Sequence, residues 1–453
     1  MRGNRYRVAA SIVALALVGT ACGGRNNNNN ASSSGNGSGA SAAKIDTANC
    51  PTDPSKPITG TDIKLVSSYP QSGLTAAFSE IATGWKSYFK MVNDQGGVKV
   101  GGKTYTISTQ DKDDQYMPNL TAQNINELLG PDGSKAFGAF SVVGTAGNLA
   151  IRDQLNRECV PNIFAATGSP AWGDPTKPWT IGSTLGPYPL EGAAFTSLLK
   201  QKAPNAKVAM LVQNDDFGRA YEEGFKNAIK GTGITVVKTE KYQAGADDVS
   251  AQMTSLASSG ANAFFDGATL LACPAALNSM AQAKWKPIVW VSSTCTSKTL
   301  LGLANAAANG VYSYANLLDP LNPANDSNPA MMQYKTTVKK YFPDADTTNG
   351  IMAYGWTQAA LFIQALKQSK DVSRLSVMES LHNLTSNDAG VLLKGVTVKT
   401  GPNDPYLGEQ YNLEQYKYIG KNAVNRFDLI GNPISFEGKT KSMTPPDLIS
   451  TGG

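Results

Sequence analysis

The chain has 453 residues, with 40 Lys and Arg against 35 Asp and Glu, one histidine and a formal net charge of +5. The positive excess is small and spread along the chain, which excludes a nucleic-acid surface as the organising feature. With the N-terminal segment set aside, about 400 residues remain, enough for two or more cores. There is no Cys-x-x-Cys spacing, and His382 is the sole histidine, so no zinc site or other metal or cofactor site is expected.

Arg2, Arg5 and Arg7 precede an apolar run from Val8 to Val18, followed by Gly19-Thr20-Ala21-Cys22. A basic start, a short apolar stretch and small residues make a secretory signal, and the run is too short to span a bilayer. The Gly-Thr-Ala-Cys ending resembles the lipobox of bacterial lipoproteins, with Gly19 in the place usually held by leucine. That resemblance implies a signal peptide over 1–21 and a lipid on Cys22. The other reading is an ordinary signal peptide cut near Ala21, leaving a free thiol. Apart from Arg25, residues 23–43 are Gly, Ser, Ala and Asn, with five Asn in a row, and lack the apolar bulk to order themselves. A flexible lipidated tether is therefore predicted over 22–60.

The stretch from Asp62 to Val98 sets the plan of the body. Residues 63–68 are a short apolar, partly β-branched run, predicting a buried strand. Pro70 and Gly73 turn the chain. Phe78, Ile81, Ala82, Trp85, Tyr88, Phe89 and Val92 then recur at three and four residues, predicting a helix that stops at Asn93-Asp94 and Gly96-Gly97. Strands are predicted over 104–110, 136–143 and 161–165, and helices over 118–129 and 149–156. A second series follows: helix 188–201, strand 207–212, helix from Asp216 to residue 230, strand 234–239, helix 248–258, strand 261–266, helix 270–283 and strand 287–291. Such alternation predicts parallel sheets covered on both faces, and the repeated plan predicts two similar α/β domains. Beyond them, 311–318 leads to helices over 329–342 and 351–367 and strands over 391–399 and 410–419. The chain must therefore cross between domains more than once.

Besides Cys22 there are four cysteines, Cys50, Cys159, Cys273 and Cys295, an even number suited to two disulfides in an oxidising compartment. Cys273 and Cys295 each follow a strand in neighbouring strand–helix units and are paired on that ground, leaving Cys50 with Cys159. Three connectivities are possible in principle.

Four pieces carry a family resemblance by their order and spacing. They are Tyr69-Pro70-Gln71-Ser72-Gly73, Asn93-Asp94-Gln95-Gly96-Gly97-Val98, Lys112-Asp113-Asp114 and Asp216-Phe217-Gly218. From Thr61 to the mid-430s the chain is similar to the leucine/isoleucine/valine-binding proteins, the extracytoplasmic solute receptors of ABC importers. The resemblance implies the type I periplasmic-binding-protein fold: two doubly wound parallel-sheet domains joined by a three-crossover hinge, near 182–186, 312–317 and 402–408. One ligand-binding lobe would hold 61–184 plus about 317–402, the other 185–316 plus about 408–437.

Ligands of open α/β sheets sit beyond the carboxyl ends of the strands and, in two-domain proteins, between the domains. Small and hydroxyl residues gather at those ends: Ser72, Gly144, Thr145, Ala166, Thr167, Gly168, Ser169, Thr269 and Ser293. Each alone is also an ordinary turn or cap. By resemblance, Phe78 matches an aromatic of the first helix, and Thr145 lies near the serine that holds the ligand carboxylate. Ala166 and Gly168 fall on the next contact loop, where Thr167 or Ser169 would supply a hydroxyl. Phe217 falls at an aromatic position of the second domain. The family's tyrosine falls at Ala268 or Thr269, and its acid for the α-ammonium falls at Ser293, which is uncharged. This change points to a small polar or carboxylate-bearing ligand for which an ammonium is not required. Asp266 is the candidate to replace the acid; its other reading is a turn or helix cap. Tyr354 and Trp356 are read either as cleft walls or as core aromatics.

No Gly-x-Ser-x-Gly and no Gly-x-Gly-x-x-Gly after the first strand is present, and His382 has no nucleophile near it in sequence. A binder, not an enzyme, is expected. Its implied partners are a small molecule, an ABC permease and, through its lipid anchor, the extracytoplasmic face of the cell membrane, with the receptor a monomer. A ligand sensor docked to a signalling partner is the alternative.

Overall fold

The structure is a computed structural model and describes residues 43–451. The signal segment, Cys22 and the tether up to residue 42 lie outside them. The first sheet comprises β1 (Asp62–Tyr69), β2 (Val98–Val100), β3 (Lys103–Asp113), β4 (Gly138–Phe140), β5 (Asn162–Ala165) and β6 (Thr180–Gly182). Between its strands run α1 (Glu80–Asp94), α2 (Pro118–Leu129) and α3 (Thr145–Glu158). The strand order is β2-β3-β1-β4-β5-β6, parallel except for the β2–β3 hairpin.

The second series contains α4 (Tyr188–Lys202), β7 (Lys207–Gln213), α5 (Asp216–Ala228), β8 (Thr235–Tyr242) and α6 (Ser250–Ala257). It continues through β9 (Ala263–Gly267), α7 (Ala272–Gln282), β10 (Ile288–Val291), α8 (Lys298–Ala304) and β11 (Tyr312–Ala315). The chain then forms α9 (Pro329–Tyr341), α10 (Gly350–Gln368) and α11 (Arg374–Leu381), and a two-residue ladder of β12 (Thr385–Ser386) with β13 (Val398–Lys399). It ends with β14 (Gln410–Lys417), β15 (Arg426–Ser435), α12 (Thr440–Met443) and α13 (Pro446–Thr451). The second sheet has the order β15-β14-β11-β10-β9-β7-β8, with β14 and β15 antiparallel at its edge.

The protein is thus two α/β domains with mostly parallel sheets, each with helices on both faces. On one face of the first sheet, Ile63, Leu65, Phe140 and Ile163 pack with Trp85 and Phe89 of α1 and Phe362 of α10. On the other, Val66 and Ala139 meet Ile125 of α2 and Leu155 of α3. The second sheet is covered by α4 and α5 on one side and by α6, α7 and α8 on the other. Burying each such large apolar side chain contributes about 1.5–3 kcal/mol.

Helix α10 follows the second series in sequence but packs on α1. The contact is close because glycine faces it from both helices. A Cβ on Gly84 would lie 2.0 Å from the Met352 carbonyl oxygen, and one on Gly355 1.9 Å from that of Ile81. The last strands return to the second sheet. The predicted multiple crossing therefore follows directly from which sheet each late element joins.

Several elements differ from the sequence expectation. The strand over 136–143 is only β4, because Ser141 takes a left-handed φ of 54° and breaks the ladder. The strand expected over 391–399 survives only as β13, because the Val391 and Leu393 amides bond to Thr357 Oγ1 and the Asn316 carbonyl rather than to a strand. Strands β2, β6, β12 and β15 and helices α8, α11, α12 and α13 lie outside the expected elements. Residues 43–60, placed in the tether, are tied to the first domain. Cys50 is bonded to Cys159, the Ile58 amide donates to Val372 at 3.0 Å, and Leu375 donates to Pro54 at 2.9 Å. Polar composition concealed these ties, since they use backbone groups and one cysteine. Cys273 is bonded to Cys295, so both expected pairs are present.

Candidate functional site

The first sheet reverses its winding between β1 and β4, the second between β7 and β9. Loops leaving such strands diverge to opposite faces and leave a crevice at their carboxyl ends. Phe78 follows β1, Gly144 follows β4, Phe217 follows β7 and Thr269 follows β9. All four line one cavity of about 170 Å³. Ala166, Thr167 and Ser293 complete the predicted residues on its wall.

Thr167 is the best-positioned hydroxyl of the first domain. Its Oγ1 shares hydrogen bonds with Thr145 Oγ1 at 2.6 Å and the Tyr188 hydroxyl at 3.1 Å, and its carbonyl accepts from Trp172 Nε1 at 3.0 Å. Thr145, 1% exposed, thus stands behind the wall and orients Thr167. Gly144 has φ +94°, and a Cβ there would meet the Tyr116 ring at 2.8 Å, so glycine is required for that ring to close the cavity. Tyr116 itself sits at φ 65° and packs against Phe78 with ring centroids 5.9 Å apart. Phe217 packs edge-on to Tyr188 at 5.0 Å.

Other predicted residues are not on the wall. Ser72 is exposed and donates to Asp113 Oδ2 at 2.5 Å, which ties the β1 turn to β3. Gly168 packs against the crossover, where a Cβ would lie 2.2 Å from the Gly186 carbonyl oxygen. Ser169 is buried and caps the 3-10 turn Pro170–Gly173 by accepting from the Ala171 amide at 3.3 Å. Ala268 is fully buried, and its carbonyl accepts from Thr294 Oγ1 at 3.2 Å.

Asp266 is also fully buried behind the wall. Its Oδ1 accepts from the Ala268 amide at 3.3 Å and its Oδ2 has no partner, while burial pushes its carboxyl well above the usual range. The turn-capping reading describes it. Ser293 is on the wall, but its amide and hydroxyl donate to Glu191 at 3.1 and 2.7 Å. Glu191 also accepts from Tyr221 at 2.6 Å and Trp290 at 3.0 Å, and is completely enclosed. This network fixes the wall under Ser293. The Cys273–Cys295 bond pins the same segment to the start of α7.

Sequence reasoning missed Tyr116, Tyr188, Thr184, Asn316, Asp319 and Glu414, which line the cavity from loops, a crossover, the start of α4 and strand β14. No local motif announces such positions. Tyr354 lines the cavity and hydrogen-bonds Ser183, whereas Trp356 is core, packed on Tyr88 at 4.6 Å. His382 lies elsewhere, its Nε2 donating to the Pro178 carbonyl at 2.9 Å. Among the described residues no helix is long and apolar enough to cross a membrane.

Residues 62–405 match the model of the family described as periplasmic binding protein. A Leu/Ile/Val-binding protein homologue of Brucella melitensis is 26% identical over 208 residues, covering 46% of this chain and 54% of that protein. The chain thus spans about half the length of this curated relative. The crystal structure of a branched-chain amino acid ABC transporter protein from Thermus thermophilus with bound valine is similar, with a TM-score of 0.72 at 19% identity over 83% of this chain and 97% of that one. A fatty acid ABC transporter substrate-binding protein from Thermomonospora curvata gives 0.69 at 16% identity over 90% and 98%. A Rhodopseudomonas palustris solute-binding protein in complex with 3,4-dihydroxybenzoic acid gives 0.69 at 17% identity over 83% and 98%. At these identities the solved structures establish the shared fold. The family match, spanning most of the chain, establishes more: this chain belongs to the periplasmic binding protein family, whose members are solute-binding proteins and not enzymes.

Proposed function

We propose that the protein captures a small polar or carboxylate-bearing solute between its domains and delivers it to an ABC importer of the branched-chain amino acid type. The observation behind this reading is the cavity spanning both winding reversals, with two buried hydroxyls on its wall, Thr184 Oγ1 and Thr269 Oγ1, that lack hydrogen-bond partners. A buried hydroxyl left unpaired costs about 1–3 kcal/mol, which a ligand group would recover. Residues 61–184 with about 317–402 act as one lobe and 185–316 with about 408–437 as the other. A solute touching both lobes favours the closed arrangement over the open one. Phe78 and Phe217 flank it, while Thr167 and Thr269 hydrogen-bond to it. A lipid on Cys22 keeps the monomeric receptor near its permease on the extracytoplasmic side, raising local concentration without fixing orientation. The similar structures carry valine or dihydroxybenzoate, and another is a fatty acid receptor, so ligand identity depends on this chain's own wall.

Thermal-shift screening of the purified protein against amino acids, amides, small organic acids and aromatic acids tests the reading, with calorimetry on any that bind. A ligand at 100 times its Kd adds about 2.7 kcal/mol, an easily measured rise in Tm. Phe78→Ala and Phe217→Ala should each weaken that ligand about 10-fold or more. Binding unchanged in both variants would remove this cavity as the site.

A further inference from the structure

The segment after β15 touches both domains. Its first residues are rooted on the passage from β13 to β14. The Gly438 amide donates to Asp404 Oδ2 at 3.1 Å and Glu409 Oε2 at 2.9 Å, and the Thr440 amide donates to Glu409 Oε1 at 3.2 Å. Helix α12 then packs on α4 and α5 of the second domain, where Asn227 Nδ2 donates to the Met443 carbonyl at 2.9 Å. Helix α13 lies instead on the first domain. It packs on the 3-10 turn Pro170–Gly173, and Arg152 Nη2 of α3 donates to the Ser450 carbonyl at 3.0 Å. Leu448 of α13 is fully buried. Asp447 beside it pairs with Arg219 of α5 at 2.5 Å, so one short helix is held by both domains. All of this lies past residues 62–405, which match the family model.

The domains also meet where α3 lies against α5, and where Lys298 of α8 donates to Thr348 Oγ1 at 3.1 Å. The ion pairs Lys298–Asp346 and Arg219–Asp447 are open to solvent and hold weakly. Leu448 is the stronger tie, because it reaches water only if α13 lifts away. Only Thr444 and Pro445 separate α12 from α13, and two residues reach at most about 7 Å. Thr444 is already extended, at φ −108° and ψ 132°, so the link has little slack. Parting α3 from α5 beyond that slack must pull α12 or α13 from its seat.

We infer that residues 438–451 form a strap across the two domains that restrains their opening, in addition to the covalent crossings of the chain. The inference rests on the reading that the domains open and close around a solute. Opening past the reach of the link uncovers Leu448 and takes the Arg152 donor from Ser450. The strap therefore favours the closed arrangement before any solute arrives, and a solute meets a receptor whose closure costs less.

Spin-label distances in the unliganded protein are the test. Labels on Asn119→Cys, exposed at the start of α2, and Asp247→Cys, exposed just before α6, report the separation of the domains. Cys22→Ser removes the one cysteine outside the two disulfides. The full chain, a chain lacking residues 446–453 and Leu448→Ser are compared at neutral pH. The population at the longer distance should rise about 10-fold or more in the shortened chain, the scale of uncovering one leucine, and by a smaller factor in Leu448→Ser. Leu448→Ser carries the test if the shortened chain does not fold. Matching distance distributions in all chains overturn the inference. If both distances are populated in every chain, opening around a solute stands without the strap; if one distance alone is present throughout, that opening falls too. A longer distance in the shortened chain together with a solute screen that finds no binder supports the strap and removes the solute-binding reading.

Discussion

Adding one methyl group where α1 crosses α10 opposes two physical effects of known size. Gly84 and Gly355 lie inside helices, where alanine is favoured over glycine by about 1 kcal/mol. If propensity decided the outcome, Gly84→Ala would stabilise the protein. The structure reverses the sign. The new Cβ would lie 2.0 Å from the Met352 carbonyl oxygen and 2.7 Å from the Trp356 nitrogen, both backbone atoms held in α10. Ordinary contact requires about 1.4 Å more, so the helices must move apart. That motion loosens Tyr88 against Trp356 and Phe89 against Phe362. Overpacking costs about 1–3 kcal/mol and sometimes more; with both helices and their aromatic neighbours displaced, a net loss of about 2–3 kcal/mol is expected. For a domain of this size that is roughly 5–10 °C in Tm. Gly355→Ala should behave alike. The double variant should cost less than the two losses added, because one separation relieves both clashes. Calorimetric melting of the three variants is the assay. A Tm for Gly84→Ala at or above wild type would show that the crossing is not as close as described.

Three further outcomes follow from other ties. The Cys50–Cys159 bond spans 109 residues and Cys273–Cys295 spans 22, so replacing the first pair with serine should cost about 5 kcal/mol and the second about 3, read from melting curves without reductant. Arg374 donates to the Phe137, Gly133 and Ala136 carbonyls at 2.9, 2.6 and 3.0 Å. Arg374→Ala should cost about 2–4 kcal/mol by urea unfolding, and Arg374→Lys should recover only part of it, since lysine lacks the planar fork. Burial holds the His382 imidazole below its ordinary pKa, so the unfolded chain binds the extra proton as pH falls. Stability should therefore drop as the pH falls below about 6.5, less steeply in His382→Gln; equal slopes would refute this origin.

Legibility of the fold and of the site differed for physical reasons. Apolar runs and amphipathic spacing are local, and they announced α1, α2 and the strands that became β1, β5, β7, β9 and β10 closely. Position 138–140 shows the limit: its apolar neighbours extend further than its ladder, because backbone conformation at Ser141 is set by what surrounds it. The strand-end loops were visible as clusters of small residues, and Phe78, Gly144, Thr167, Phe217, Thr269 and Ser293 do share one wall. Ser72 and Ser169 carry the same local signal but spend their hydroxyls on a turn and a cap. Only the path of the chain distinguishes these cases.

Sequence by itself determined two repeated α/β series, a return of the chain between them and four cysteines suited to pairing, because hydrophobic period and residue chemistry act over a few neighbours. Tertiary structure alone decided which helix follows which sheet, that Asp266 is walled off, and that Asp319 and Glu414 line one cavity with Phe78 and Phe217. Those facts depend on distances between residues hundreds of positions apart, and burial at such meetings sets whether a polar group is paired, hidden or available.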